Sequence, residues 1–258
     1  IFVVTTVCNM SCIYCQANNG VECSHLIMNK EMAEKAVDIA LQSPEQSLCF
    51  EFQGGEPLVN FEIIKHIVQY AEIHKENHEI AYTVVTNLTL LNEEMLDFFV
   101  QYSFGISTSV DGSELVHNNN RPYADGTGTF KKVINSVERV RKAGLQVGAI
   151  ETTTRFSLDF PKEIVHTYVD MGFESIFIRP LTPLGKAAKS WEKIGYTSEE
   201  FIIFYQQALD ELIKINKAGR FIKEDHASIL LRRIGGDFMN YMELRSPCGA
   251  GVGQLAYY

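Results

Sequence analysis

Cys8-Asn9-Met10-Ser11-Cys12-Ile13-Tyr14-Cys15 is the stretch on which the reading of this 258-residue chain turns. Its three cysteines are spaced C-x3-C-x2-C, directly after a short β-branched run, residues 1–7, that reads as a strand. A four-iron iron–sulfur cube takes one ligand per iron. Three cysteines leave one iron open, and no fourth cysteine follows at a regular spacing. An open coordination position is where a metal site does chemistry. Other readings of the same cysteines are a zinc site completed by Cys23 or His25, and a redox C-x-x-C formed by Cys12 and Cys15. Structural zinc usually draws on two ligand pairs. Cys8 and the loop Gln16-Ala17-Asn18-Asn19-Gly20 do not suit a thioredoxin-like unit.

Working outward, short apolar runs alternate with amphipathic stretches. Strands are expected at residues 1–7, 47–52, 80–85, 104–110, 145–152 and 174–178. Helices are expected at 29–42, 61–74, 92–101, 129–143, 160–171 and 199–218, with Asn92 and Thr129 as N-caps. Six strands, each followed by a helix, imply a parallel sheet with helices outside it. Periodicity alone does not separate an open barrel from a doubly wound sheet. After about Arg220 the alternation breaks, so residues 1–219 read as the core and 220–258 as an extension. The chain begins inside a strand at Ile1, without Met, and ends at Tyr257-Tyr258; this reads as a domain cut from a longer protein.

In parallel α/β folds the site gathers at the carboxyl ends of the strands. The chemistry-bearing residues fall there: Cys8, then Gly54-Gly55-Glu56-Pro57, Thr86-Asn87, Ser109-Val110-Asp111-Gly112, Thr152-Thr153-Thr154 and Arg179-Pro180. Glycines admit a close backbone approach, and Glu56 could face an ammonium group. The bland readings are a Gly-Gly turn before Pro57, an Asp-Gly turn at Asp111, and a surface ion pair at Arg121. The seven histidines show no ligand spacing, Cys49 reads as core packing, and Trp191 as packing in a polar loop.

The net charge of −9 argues against nucleic-acid binding by phosphate neutralisation. No apolar run is long enough for a membrane span. With 46% hydrophobic and 21% charged residues this is an ordinary globular composition. Six cysteines and no signal peptide suit a reducing cytoplasm better than a disulfide scaffold.

C-x3-C-x2-C with Tyr14 before the last cysteine resembles the signature of radical S-adenosylmethionine (SAM) enzymes. The resemblance implies a partial (β/α)6 TIM-like barrel with a short C-terminal extension, and a [4Fe-4S] cluster on Cys8, Cys12 and Cys15. It also implies SAM chelated at the open iron and cleaved reductively to a 5′-deoxyadenosyl radical. Gly54-Gly55-Glu56-Pro57 is similar to the family's GGEP motif, which binds the SAM amino group. Ser109 and Asp111 match the S-x-D-G of peptide-modifying members, and Arg121 stands where relatives carry an arginine for a carboxylate. Thr86-Asn87 matches T-N-G except that Leu88 replaces the glycine. Arg179-Pro180-Leu181 is a candidate adenine contact. Arg245-Ser246-Pro247-Cys248 resembles the entry to a cysteine-rich, SPASM-type domain with auxiliary clusters, Cys248 being its first ligand. The resemblance thus implies a maturase acting on a peptide or protein substrate, akin to sulfatase maturases and ribosomal-peptide maturases, with His-Xaa-Ser systems a candidate subgroup. It would be served by a reductant such as flavodoxin or ferredoxin. A small-molecule radical SAM enzyme and a non-catalytic iron–sulfur electron carrier are the alternatives.

Overall fold

The computed structural model describes residues 1–16, 26–236 and 255–257. Strands and helices alternate as β1 Phe2–Thr5, α1 Lys30–Ala40, β2 Ser47–Gly54, α2 Phe61–His74, β3 Glu79–Val85, α3 Glu93–Gln101 and β4 Gly105–Ser109. There follow α4 Glu114–Asn120, α5 Phe130–Lys142, β5 Val147–Thr152, α6 Pro161–Asp170 and β6 Ser175–Arg179. The chain continues through α7 Gly185–Lys189, α8 Trp191–Ile194, α9 Ser198–Lys217, β7 Lys223–Glu224 and α10 Asp225–Gly235. The strands form one sheet in the order β1 to β7, every pair parallel. Strands that neighbour in sequence also neighbour in space, which removes the doubly wound alternative, because that topology needs a strand-order reversal. The seventh strand is an addition: Lys223–Glu224, in the stretch read as an extension, pairs with Ser175 and Ile176 of β6.

The alternation along each strand explains the layers. Phe50, Phe52, Val84, Ile106, Ile176 and Ile178 point to the helices and are buried. There they join Ile64, Ile67, Phe99, Phe104 and Ile164 in one core. The opposite, concave face ends in Gln53, Val85, Ser109, Thr152 and Arg179, which line a cavity. The helix-forming signals are local. Asn29 and Asn92 accept at 2.9 Å from the amides of Met32 and Met95, capping α1 and α3. Thr197 and Glu200 form a capping box at α9. Thr129 does stand at the N-cap position of α5 but does not cap it. Asn118 Oδ1 accepts from the Thr129 and Phe130 amides, each at 2.9 Å, and the Thr129 hydroxyl donates to the Arg121 carbonyl at 2.6 Å. Cys49 is exposed rather than core packing. Among the described residues no helix is long and apolar enough to cross a membrane.

Candidate functional site

A cavity of about 310 Å³ opens at the carboxyl ends of the strands. It is walled by the three cysteines, Tyr14 and Arg121, together with Gly54, Gly55, Glu56, Asn87 and Ser109. Pro57 and Asp111 stand outside this lining, and Cys248 lies outside the described residues, as do Cys23 and His25.

The cysteine stretch is held first by main chain. The amides of Gly55 and Glu56 donate to the carbonyls of Thr5 and Val7 at 2.8 and 2.9 Å. A Cβ on Gly54 would collide with the Thr5 carbonyl, and one on Gly55 with the Thr6 and Val7 carbonyls. These glycines therefore let β2 approach the end of β1 itself, the protein's own backbone filling the space. On the other side, the Ser11 and Ile13 amides donate to the carbonyls of Pro122 and Asn120 at 2.8 and 3.0 Å.

Glu56 is fully buried. Oε1 accepts from the Thr86 hydroxyl at 2.6 Å and the Leu58 amide at 3.0 Å, and Oε2 accepts from the Asn87 amide at 2.7 Å. A carboxylate has about four lone-pair sites, so one on Oε2 remains for a donor in the cavity. Burial raises its pKa, against the pull of these hydrogen bonds. Asn87 ties the same corner to the cysteine stretch: Nδ2 donates to Asn9 Oδ1 at 3.0 Å, and Asn9 donates to Thr89 Oγ1 at 2.8 Å. Leu88, where the resembled motif has glycine, takes φ +59° and is fully buried. The left-handed backbone is present and leucine bears its strain.

A second wall is built from side chains. The Tyr14 hydroxyl donates to Asp111, 2.8 Å from Oδ2 and 3.1 Å from Oδ1, and accepts from Arg121 Nη1 at 2.7 Å. All three residues are buried. Asp111 Oδ1 also accepts from the Thr152 amide at 3.4 Å, and burial raises its carboxyl pKa while Arg121 opposes the rise. Behind it, the Asp111 amide donates to His117 Nδ1 at 3.3 Å, and His117 Nε2 lies 3.1 Å from Thr129 Oγ1. Because the Thr129 proton goes to the Arg121 carbonyl, Nε2 must carry the imidazole proton, and burial holds this neutral ring's pKa well below its usual value. Arg121 Nε is buried without a hydrogen-bond partner.

The thiols of Cys8, Cys12 and Cys15 are free. Partial desolvation pushes the exposed Cys8 thiol up to about 11, and burial raises Cys12, where Arg121 and Lys186 act in the opposite direction. Among the described residues no three His, Cys, Asp or Glu side chains are gathered to hold one metal ion. Three soft thiols on one wall suit an iron–sulfur cluster, in which each thiolate meets its own iron. The unpaired Arg121 Nε suits an anionic group beside it. The residues present therefore fit both a cluster and a carboxylate-bearing ligand. Sequence reasoning missed Asn9 and Thr89, which pair across 80 residues, His117, whose spacing gave no ligand pattern, and Gln53, which precedes the glycines and lines the cavity.

Residues 2–177 match the family model described as the radical SAM superfamily. An uncharacterized protein of Methanocaldococcus jannaschii is 31% identical over 183 residues, spanning 71% of this chain and 62% of that one. A cysteine-type anaerobic sulfatase-maturating enzyme of Clostridium novyi is 26% identical over 235 residues, 87% of this chain and 63% of that enzyme. The structure of anSMEcpe with bound AdoMet and a peptide superposes with a TM-score of 0.79 at 22% identity, covering 91% of this chain and 65% of that one. This chain therefore spans about six-tenths of the length of these relatives. A fold of this kind, and a family match over most of its sheet, carry one conclusion: the chain belongs to the radical SAM superfamily.

Proposed function

We propose that this chain is the radical-generating core of a maturase that modifies a peptide or protein side chain. The observation that carries the proposal is the convergence of three free thiols, the Gly54–Glu56 corner and Arg121 on one cavity at the strand ends. Support for a peptide substrate comes from the sulfatase-maturating relatives and the peptide-bound neighbour.

In this reading Cys8, Cys12 and Cys15 hold a [4Fe-4S] cluster. When bound, the cluster and SAM together supply a carbon-centred radical that can abstract hydrogen from a substrate. The chain's residues bind, orient and shield. Glu56 would accept from the SAM ammonium, and the Arg121 guanidinium would pair with its carboxylate. Asp111 and Tyr14 fix that guanidinium. Ser109 and Asn87 stand on the same lining as hydrogen-bonding groups. A carbon-centred radical is lost to dioxygen and to adventitious hydrogen donors, so the occupied site would have to exclude them. Residues 1–219 form the core in this proposal. Residues 220–258 lead toward a part with auxiliary clusters on Cys248, and a small electron-transfer protein is the reductant.

Anaerobic reconstitution with iron and sulfide, followed by dithionite and SAM, tests the reading. 5′-Deoxyadenosine should form in the wild type and vanish in Cys12→Ala. A chain that binds zinc and no cluster would refute it. Turnover of a small molecule in place of any peptide would move it to the small-molecule alternative.

A further inference from the structure

After β6 the chain returns to the cysteine stretch at Gly185 and Lys186, residues that none of the roles above uses. The Lys186 amide donates to the Cys15 carbonyl at 2.9 Å, and Lys186 Nζ donates to Ser11 Oγ at 3.1 Å. One residue thus grips both ends of Ser11–Cys15. Gly185 precedes it at φ +56°, where a Cβ would meet the Cys15 and Gln16 carbonyls. Ala187 follows it fully buried, packed with Tyr14, Leu181 and Tyr196 in a small core separate from the main one. Among the described residues no carboxylate pairs with the Lys186 ammonium. Among the described residues, a cation with no carboxylate partner is therefore fastened to the loop that carries the thiols.

A cluster that accepts an electron gains one negative charge, and its potential depends on the charges and hydrogen bonds around it. A fixed positive charge lowers the energy of the reduced form more than that of the oxidised form. We infer that Lys186 is a positioning residue that seats the cysteine stretch and favours the reduced state of the cluster through its charge. This rests on the cluster proposed above and deepens that reading.

The test needs no turnover. Wild type, Lys186→Gln, Lys186→Arg and Lys186→Glu are reconstituted without SAM and matched for iron and sulfide content. Each is titrated with dithionite in the presence of redox mediators, reading the reduced cluster by electron paramagnetic resonance. Glutamine keeps a donor for Ser11 and removes the charge. At the potential where the wild-type cluster is half reduced, its reduced-to-oxidised ratio should fall on the order of tenfold. Arginine should stay near wild type, and glutamate should fall further than glutamine. A glutamine variant with the wild-type ratio overturns the inference, as does an arginine variant that falls as far as glutamine. A wild-type chain that takes up no cluster overturns the functional reading beneath it, a result distinct from either.

Discussion

On the β1–β2 side of the cavity, the contacts that hold the cysteine stretch run from main chain to main chain, made close by Gly54 and Gly55. On the β4–α4 side much of the hold runs through buried side chains: Asp111, Tyr14, Arg121 and, behind them, His117. The first wall depends on the absence of side chains at Gly54 and Gly55, with the Glu56 carboxyl group set behind them. The second depends on their presence and puts a cation and a carboxyl group out of water, joined by a phenol. The first is intolerant of bulk in the backbone contacts that hold the cysteine stretch. The second is sensitive to charge and to protons.

The largest effect should come from the first wall. Gly55→Ala pushes a Cβ into two carbonyl oxygens that have no flexible end to move. Its cost should exceed about 4 kcal/mol, a large part of the stability of an ordinary domain. Chemical denaturation reads this directly, and a variant as stable as wild type would break the contrast.

Arg121→Met comes next. It strands the Asp111 carboxyl beside Tyr14, and breaking a buried pair from one side costs about 3–5 kcal/mol. Asp111→Asn combined with Arg121→Met should recover part of that loss. A double-mutant cycle showing strict additivity would mean that the two do not communicate through the phenol.

The smallest effect is in acid. His117 is neutral when folded and its pKa is depressed, so its contribution to stability is present above pH ~6.5 and is lost as pH falls. The slope is at most about 1.4 kcal/mol per pH unit for one proton. Buried Asp111, Glu56 and Glu151, whose pKa values are raised, titrate with the opposite sign and do not produce this limb. His117→Gln should flatten the limb in thermal melts between pH 6.5 and 5. An unchanged slope would place the acid sensitivity elsewhere.

How much of this was legible in the sequence divides along the same line. The cysteine spacing, the glycine pair and the alternation of strands and helices are local, and they placed the cavity and the six main strands. The second wall was half visible. Asp111 and Arg121 stood out, but the phenol between them comes from a residue 97 positions away from Asp111. Asp111 reads as a ligand contact from the motif, and the structure adds a partner no motif shows: the Tyr14 phenol that joins it to Arg121. The role of Thr129 was misplaced for a similar reason, since its helix is capped across 11 residues by Asn118. Cys49 looked like core because it lies in an apolar strand, but the near end of β2 is exposed. The seventh strand has two residues and no periodicity to read.

Leu88 carries a consequence for how this corner can change over generations. Its backbone sits in the left-handed region, at a cost of roughly 1–2 kcal/mol for a residue with a Cβ. Its side chain is wholly buried, and losing it would cost about 2–5 kcal/mol. Glycine would relieve the backbone and empty the core; asparagine would tolerate the backbone and bring an amide into apolar surroundings. Every single substitution that improves one requirement worsens the other. Position 88 therefore resists change by a single substitution to glycine or asparagine, and glycine would be better borne where a neighbouring core residue grows with it.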